Sequence, residues 1–209
     1  MLGFAVAHRL ATSLRRSGDL VDAAPVPAVR RTAALCLACL LPAAVAVLWL
    51  LAWVVTGEIW PPTGERVAWF RDEPALDIVA ILVAGGPVAA LGGSLLGVAV
   101  GRWLPFRGSA LLGMVALVAA VLLFVELGHP RAFIAPYAPW YEEMLRDNRA
   151  WRAWVPDGSP VWYVAYTLCL SGLAAVAALL RDAVERRRLL AAGAVLAIGA
   201  LGSLILTFP

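Results

Sequence analysis

The 209-residue chain has no lysine, and all 17 of its basic residues are arginine. That absence excludes a P-loop lysine, a Schiff-base lysine and a Ser–Lys dyad. If the chain belongs to an ATP-driven machine, another chain must supply the ATPase. Charge is scarce, at 15% of residues, where a soluble domain carries about 25%. Three cysteines are too few for a disulfide scaffold. Gly and Pro number 18 and 14 without a three-residue period, so a collagen-like chain is excluded. No Gly-x-Ser-x-Gly, His-Glu-x-x-His, Walker or dinucleotide motif occurs. The arginine-only usage, with many Ala, Gly, Val and Pro residues, matches coding in a GC-rich genome.

What the chain has in excess is apolar surface. It is 62% hydrophobic, against about 45–50% for soluble domains, and its mean hydropathy is +0.84. A soluble fold of this length has too little interior to hide so many apolar side chains, and disorder is excluded on the same ground. The composition predicts an all-α, polytopic helical membrane protein.

A helix needs about 20 mostly apolar residues to cross a bilayer core. Five stretches qualify, giving expected spans at 32–56, 78–101, 109–127, 161–180 and 189–207. Together they make a transmembrane domain over 32–207, preceded by a cytoplasmic segment over 1–31 and interrupted by an outer loop over 128–160. Residues 2–7 are apolar but too short to cross. His8, Arg9, Arg15 and Arg16 follow this run rather than precede it, the reverse of a secretory signal.

Orientation follows from arginine placement. One side collects eleven arginines, in 1–31, at 102–107 and at 181–188; the other side holds six, with most of the acids. The arginine-rich side is expected to be cytoplasmic, with the N-terminus inside and the C-terminus outside a multi-pass plasma-membrane protein. Trp60, Trp69 and Phe70, the cluster from Trp140 to Tyr163, and Trp103 with Phe106 fall where interfacial aromatic belts are expected.

Several segments carry more detail. Gly85, Gly86, Gly92, Gly93, Gly97 and Gly101 lie in the second span, and Gly93, Gly97 and Gly101 are spaced by four along one face. Small residues at that spacing let helices approach closely, within the chain or between copies. Pro87 removes a backbone donor and is expected to kink the span near Gly85 and Gly86, a candidate hinge or part of a substrate path. Glu126 is the one acid placed at membrane depth, at a span end where water can reach it, which leaves open a solvated end or a substrate-path or proton role. With His129 it supplies two ligand types, fewer than the three or four a metal site needs, so no metal and no cofactor are expected. Cys36 and Cys39 form a C-x-x-C inside an apolar span, where packing is the simpler role. Arg181 and Arg186–Arg188 set topology and lie where anionic lipid would meet them. Residues 139–154 are expected to form an outer interfacial helix, with Trp140, Tyr141, Met144, Leu145 and Trp151 near one face and a Glu142–Arg146 pair on the other.

One segment resembles a known family. Gly18, Asp19-Leu20-Val21-Asp22, Pro25 and the pair Arg30-Arg31 precede an uncharged span. This order is similar to the first cytoplasmic loop of ABC-2-type transporter permeases. Gly85-Gly86-Pro87, Gly101-Arg102-Trp103-Leu104-Pro105, and Gly158-Ser159-Pro160-Val161-Trp162 with Ala165-Tyr166 resemble actinobacterial-type members. The likeness covers roughly residues 10–185. It implies a permease subunit that moves a substrate using a separate cytoplasmic ATP-binding cassette subunit. The contact with that subunit would fall on Arg15, Arg16, Asp19, Leu20, Asp22 and Pro25. Permeases of this class usually carry two further spans before that loop. Residues 2–16 resemble the end of the second of these, which implies either a truncated start or a shortened permease completed by homo- or hetero-oligomerisation. Membrane lipid is a further partner, and nucleic acid is not. Two other classes stay open: a membrane structural or assembly subunit without a transport path, and an intramembrane enzyme using Glu126 and His129.

Overall fold

The computed structural model describes residues 2–16, 26–59, 74–104, 106, 108–126, 142–146, 150–154, 158–184 and 186–208, with only the backbone described at 2, 14–16, 58–59, 124–126 and in the two strands. The helices in chain order are α1 (Leu2–Arg16), α2 (Ala28–Ala38), α3 (Leu40–Ile59), α4 (Ala75–Val83), α5 (Ala89–Trp103), α6 (Ser109–Glu126), α7 (Pro160–Leu180) and α8 (Arg186–Thr207). A single π-helical turn, Ala84–Val88, joins α4 to α5. Two strands, β1 (Glu142–Arg146) and β2 (Ala150–Trp154), lie between α6 and α7.

Among the described residues, four helical stretches are long and apolar enough to cross a membrane: Ala28–Gly57, Ala75–Trp103, Pro160–Leu180 and Arg186–Thr207. They coincide with four of the expected spans. Ser109–Leu123 forms a shorter apolar helix within α6, at the position of the remaining one. Large apolar side chains point outward along them, among them Leu41, Leu48, Trp49, Leu111, Val195 and Ile198. In water such a surface would drive aggregation; in a bilayer it faces lipid chains of the same polarity. The fold is that of a helical membrane protein.

Two prolines shape the spans. Pro42 cannot donate to the carbonyl four residues back and its ring crowds that turn. The helix accordingly breaks at Cys39, whose amide reaches the carbonyls of Leu35 and Cys36, both at 3.2 Å. Pro87 acts similarly within Ala75–Trp103. The backbone widens into the π turn, and the amide of Ala89 reaches Ala84 across five residues instead of four. The expected disturbance at Gly85-Gly86-Pro87 is therefore a widened turn within a span that runs on to Trp103.

The expected helix over 139–154 is corrected. The described backbone there is an antiparallel ladder pairing Glu142 with Trp154, Met144 with Arg152 and Arg146 with Ala150. The helical pattern rested on scattered apolar residues and one i,i+4 pair worth about 0.3–0.5 kcal/mol. Two residues of a strand-favouring type, Trp151 and Trp154, within five positions, and two residue types that disfavour a helix interior at 147 and 148, outweigh it. The expected outer loop 128–160 otherwise lies outside the described residues up to Gly158.

The described residues pack into two apolar cores. One, towards the arginine-rich end, gathers Ala7, Ala11, Cys39, Leu95, Val98, Ala99 and Ala178. The other, towards the opposite end, gathers Ile81, Ala84, Tyr163, Tyr166 and Ala200. α7 and α8 form a close antiparallel pair in which Gly172 meets Leu196 and Gly199 meets the Cys169 thiol. Gly108, at φ +94°, makes the turn into α6 that a residue with a Cβ would strain.

Candidate functional site

The functional geometry concentrates at the arginine-rich end of the bundle. It begins with α1, whose residues Phe4, Ala7, His8 and Ala11 recur at helical spacing and are all buried. That face lies on α5. A Cβ at Gly97 would collide with the Phe4 carbonyl, and one at Gly101 would stand 3.0 Å from the Ala11 Cβ and 3.1 Å from the His8 carbonyl. Gly97 and Gly101 are therefore the seat of α1. Gly93, their expected companion, has nothing within 4 Å. The chain from Ser94, which meets Gly3, to Trp103 rises about 13 Å at 1.5 Å per residue. The first half of the segment 1–31 thus lies alongside a span instead of standing apart from it. His8 secures this seat sideways, its Nε2 lying 2.8 Å from the Ser109 hydroxyl at the start of α6.

A polar junction sits beside it. Arg102, one residue before the end of α5, places Nη2 against both carboxylate oxygens of Asp182, just beyond α7. Thr32 of α2 donates its hydroxyl to the same carboxylate at 2.5 Å and is itself 1% exposed. The Arg102 and Asp182 side chains are 12% and 10% exposed. A buried ion pair of this kind is hard to break one-sidedly: removing one partner typically costs about 3–5 kcal/mol, because the other charge stays behind. The pairing is incomplete, since among the described residues the buried Arg102 Nε has no hydrogen-bond partner. An unmet buried donor costs about 1–3 kcal/mol. Next to it, the Trp103 indole donates to the Ala177 carbonyl at 2.8 Å. The Arg181 guanidinium lies over the Trp103 ring, 5.6 Å from its centroid.

The other expected residues are placed as follows. Arg15 and Arg16 are the last residues of α1, described as backbone. Asp19, Leu20, Asp22, Pro25 and His129 lie outside the described residues. Glu126 ends α6 and its side chain is not among those described. Gly85 and Gly86 have open space where a Cβ would stand, while Pro87 is buried. Cys39 is buried in the core and Cys36 packs against it, as small apolar side chains do. Among the described residues, no group of three or more His, Cys, Asp or Glu could hold a metal ion.

Sequence reasoning missed Thr32, Arg102 and Asp182 as a unit. One signal was present: Asp182 is an acid set among the arginines of a span end, where unpaired acids are disfavoured. Chemically the arrangement binds helices to one another rather than presenting a reactive centre. It fixes α1 and α2, the helices on either side of residues 17–25, to the same end of α5. Compared with protein-family models, curated proteins and solved structures, the chain matches none.

Proposed function

We propose that the chain is the membrane-spanning permease subunit of an ABC-2-type transporter, working with a separate ATP-binding subunit in the plasma membrane. The observation that carries this reading is the segment Arg15–Pro25. Its sequence resembles the family's first cytoplasmic loop; of its flanking helices, α1 is seated on α5 and α2 is tied to it through Asp182 and Arg102. A push delivered there by a nucleotide-driven partner reaches α5 through the α1 seat and, by way of Asp182, through Arg102. The span it reaches contains the π turn, with open space at Gly85 and Gly86. The absence of lysine requires that the nucleotide chemistry reside elsewhere.

The test is purification of the full chain in mild detergent from its native membrane. An ATP-binding cassette protein is expected to remain bound, and its ATP hydrolysis is expected to fall when Asp19 and Asp22 are changed to Asn. No retained ATPase, or stimulation untouched by those changes, would contradict the reading.

One observation favours a second reading, that of a structural or assembly subunit without a transport path. Hydroxyls inside the bundle bond to their own helices: Ser94 to Ala90, Thr167 to Tyr163 and Thr207 to Ser203. Such back-bonding satisfies a hydroxyl without a partner from outside. Under that reading, changes at Gly86, Pro87 and Glu126 leave function intact.

A further inference from the structure

Among the described residues, the span Ala28–Gly57 is the least enclosed of the long helices, with almost none of the residues in its apolar window fully buried. It divides at Cys39 into two rods, because Pro42 interrupts the hydrogen-bond ladder there. The shorter rod, α2, is 11 residues long. It therefore has a weakened joint at one end. Near its other end, Thr32 is its buried polar tie to the bundle, made to the carboxylate that also holds Arg102. Between joint and tie, Leu35, Cys36 and Cys39 rest against the small residues of the core.

We propose that Thr32, Arg102 and Asp182 form a releasable latch that closes the α2 rod onto α5 and α7. Asp182 is the shared element, accepting from a hydroxyl on one side and a guanidinium on the other. The guanidinium meets the carboxylate through Nη2, and among the described residues its buried Nε finds no acceptor. The closed state is thus held by charge yet leaves one donor unmet, which narrows its margin over the open one. When the carboxylate lets go, the rod turns about Cys39 and the seam beneath it opens to water. The cysteine on that seam, Cys39, is 4% exposed when the latch is closed. This device concerns the bundle itself and holds whether or not the chain transports anything.

The native thiol supplies the reporter. The full chain, carrying Cys36→Ala and Cys169→Ala so that Cys39 is the one thiol left, is reacted with a water-soluble maleimide in open membrane fragments. Asp182→Ala is expected to raise the labelling rate of Cys39 at least about tenfold, the change that about 1.4 kcal/mol of lost closure produces. Thr32→Val, which keeps the side chain's shape and removes only its hydroxyl, is expected to raise it about threefold. The exchanged pair Arg102→Asp with Asp182→Arg, which restores the charge pair but takes the carboxylate away from Thr32, is expected to bring the rate back to within about threefold of the parent. If Asp182→Ala does not fold, Thr32→Val decides. Labelling at the parental rate in Thr32→Val, or in a folded Asp182→Ala, overturns the latch. So does an exchanged pair that labels as fast as Asp182→Ala.

Discussion

Gly97 and Gly93 are four residues apart on one helix and chemically identical, yet their surroundings differ completely. A methyl group at Gly97 runs into the backbone of α1, whereas one at Gly93 meets nothing within 4 Å. Gly97→Ala is therefore expected to lower stability by about 1–3 kcal/mol, the usual cost of overpacking. Gly93→Ala is expected to stay within about 0.5 kcal/mol of the parent. Thermal unfolding of the two variants in detergent compares them directly. His8→Ala strips the buried Ser109 hydroxyl of its partner, and a loss of about 1–3 kcal/mol is expected by the same measurement. At this scale the sequence was half legible. Spacing by four marked a packing face, but no pattern in the chain says which glycine meets a partner. The polar junction was less legible still. Thr32, Arg102 and Asp182 are separated by 70 and 80 positions, and arginine at a span end is what topology alone would place there.

Elements were read best where length decides. A bilayer core sets a narrow window for an apolar run, so the spans over 78–101, 161–180 and 189–207 agree with helices Ala75–Trp103, Pro160–Leu180 and Arg186–Thr207 to within a few residues. Residues 2–7 failed that length criterion, and the same criterion concealed that α1 belongs with the bundle. Its burial comes from the glycine face of another helix, not from its own hydrophobicity. The hairpin β1–β2 was misread because scattered aromatic residues fit a helical face about as well as a strand when no long run arbitrates. Pro87 predicted a disturbance, though not its form. Pro87→Ala returns an amide to the ladder, so the turn is expected to regularise to α-helix. Amide exchange across 84–89 should then slow by about tenfold, as a restored hydrogen bond of about 1–1.5 kcal/mol implies. Unchanged exchange would mean that packing against α3 and α7, rather than the missing donor, widens the turn.

The whole molecule is organised by its two unlike ends. Arginines, the α1 seat and the polar junction gather at one, and the tyrosine-containing core lies towards the other. The proposed docking segment, the anchored helices and the latch have their assigned roles only if the arginine-rich end faces the cytoplasm. The helices must then cross the membrane an odd number of times between Arg16 and Thr207. Reporter fusions in living cells test this most directly. A fluorescent protein that matures only inside is expected to glow when inserted after Ser17, just past the arginine-rich end of α1, and a phosphatase active only outside is expected to work at the C-terminus. Both positions reporting from the same side would contradict the arrangement.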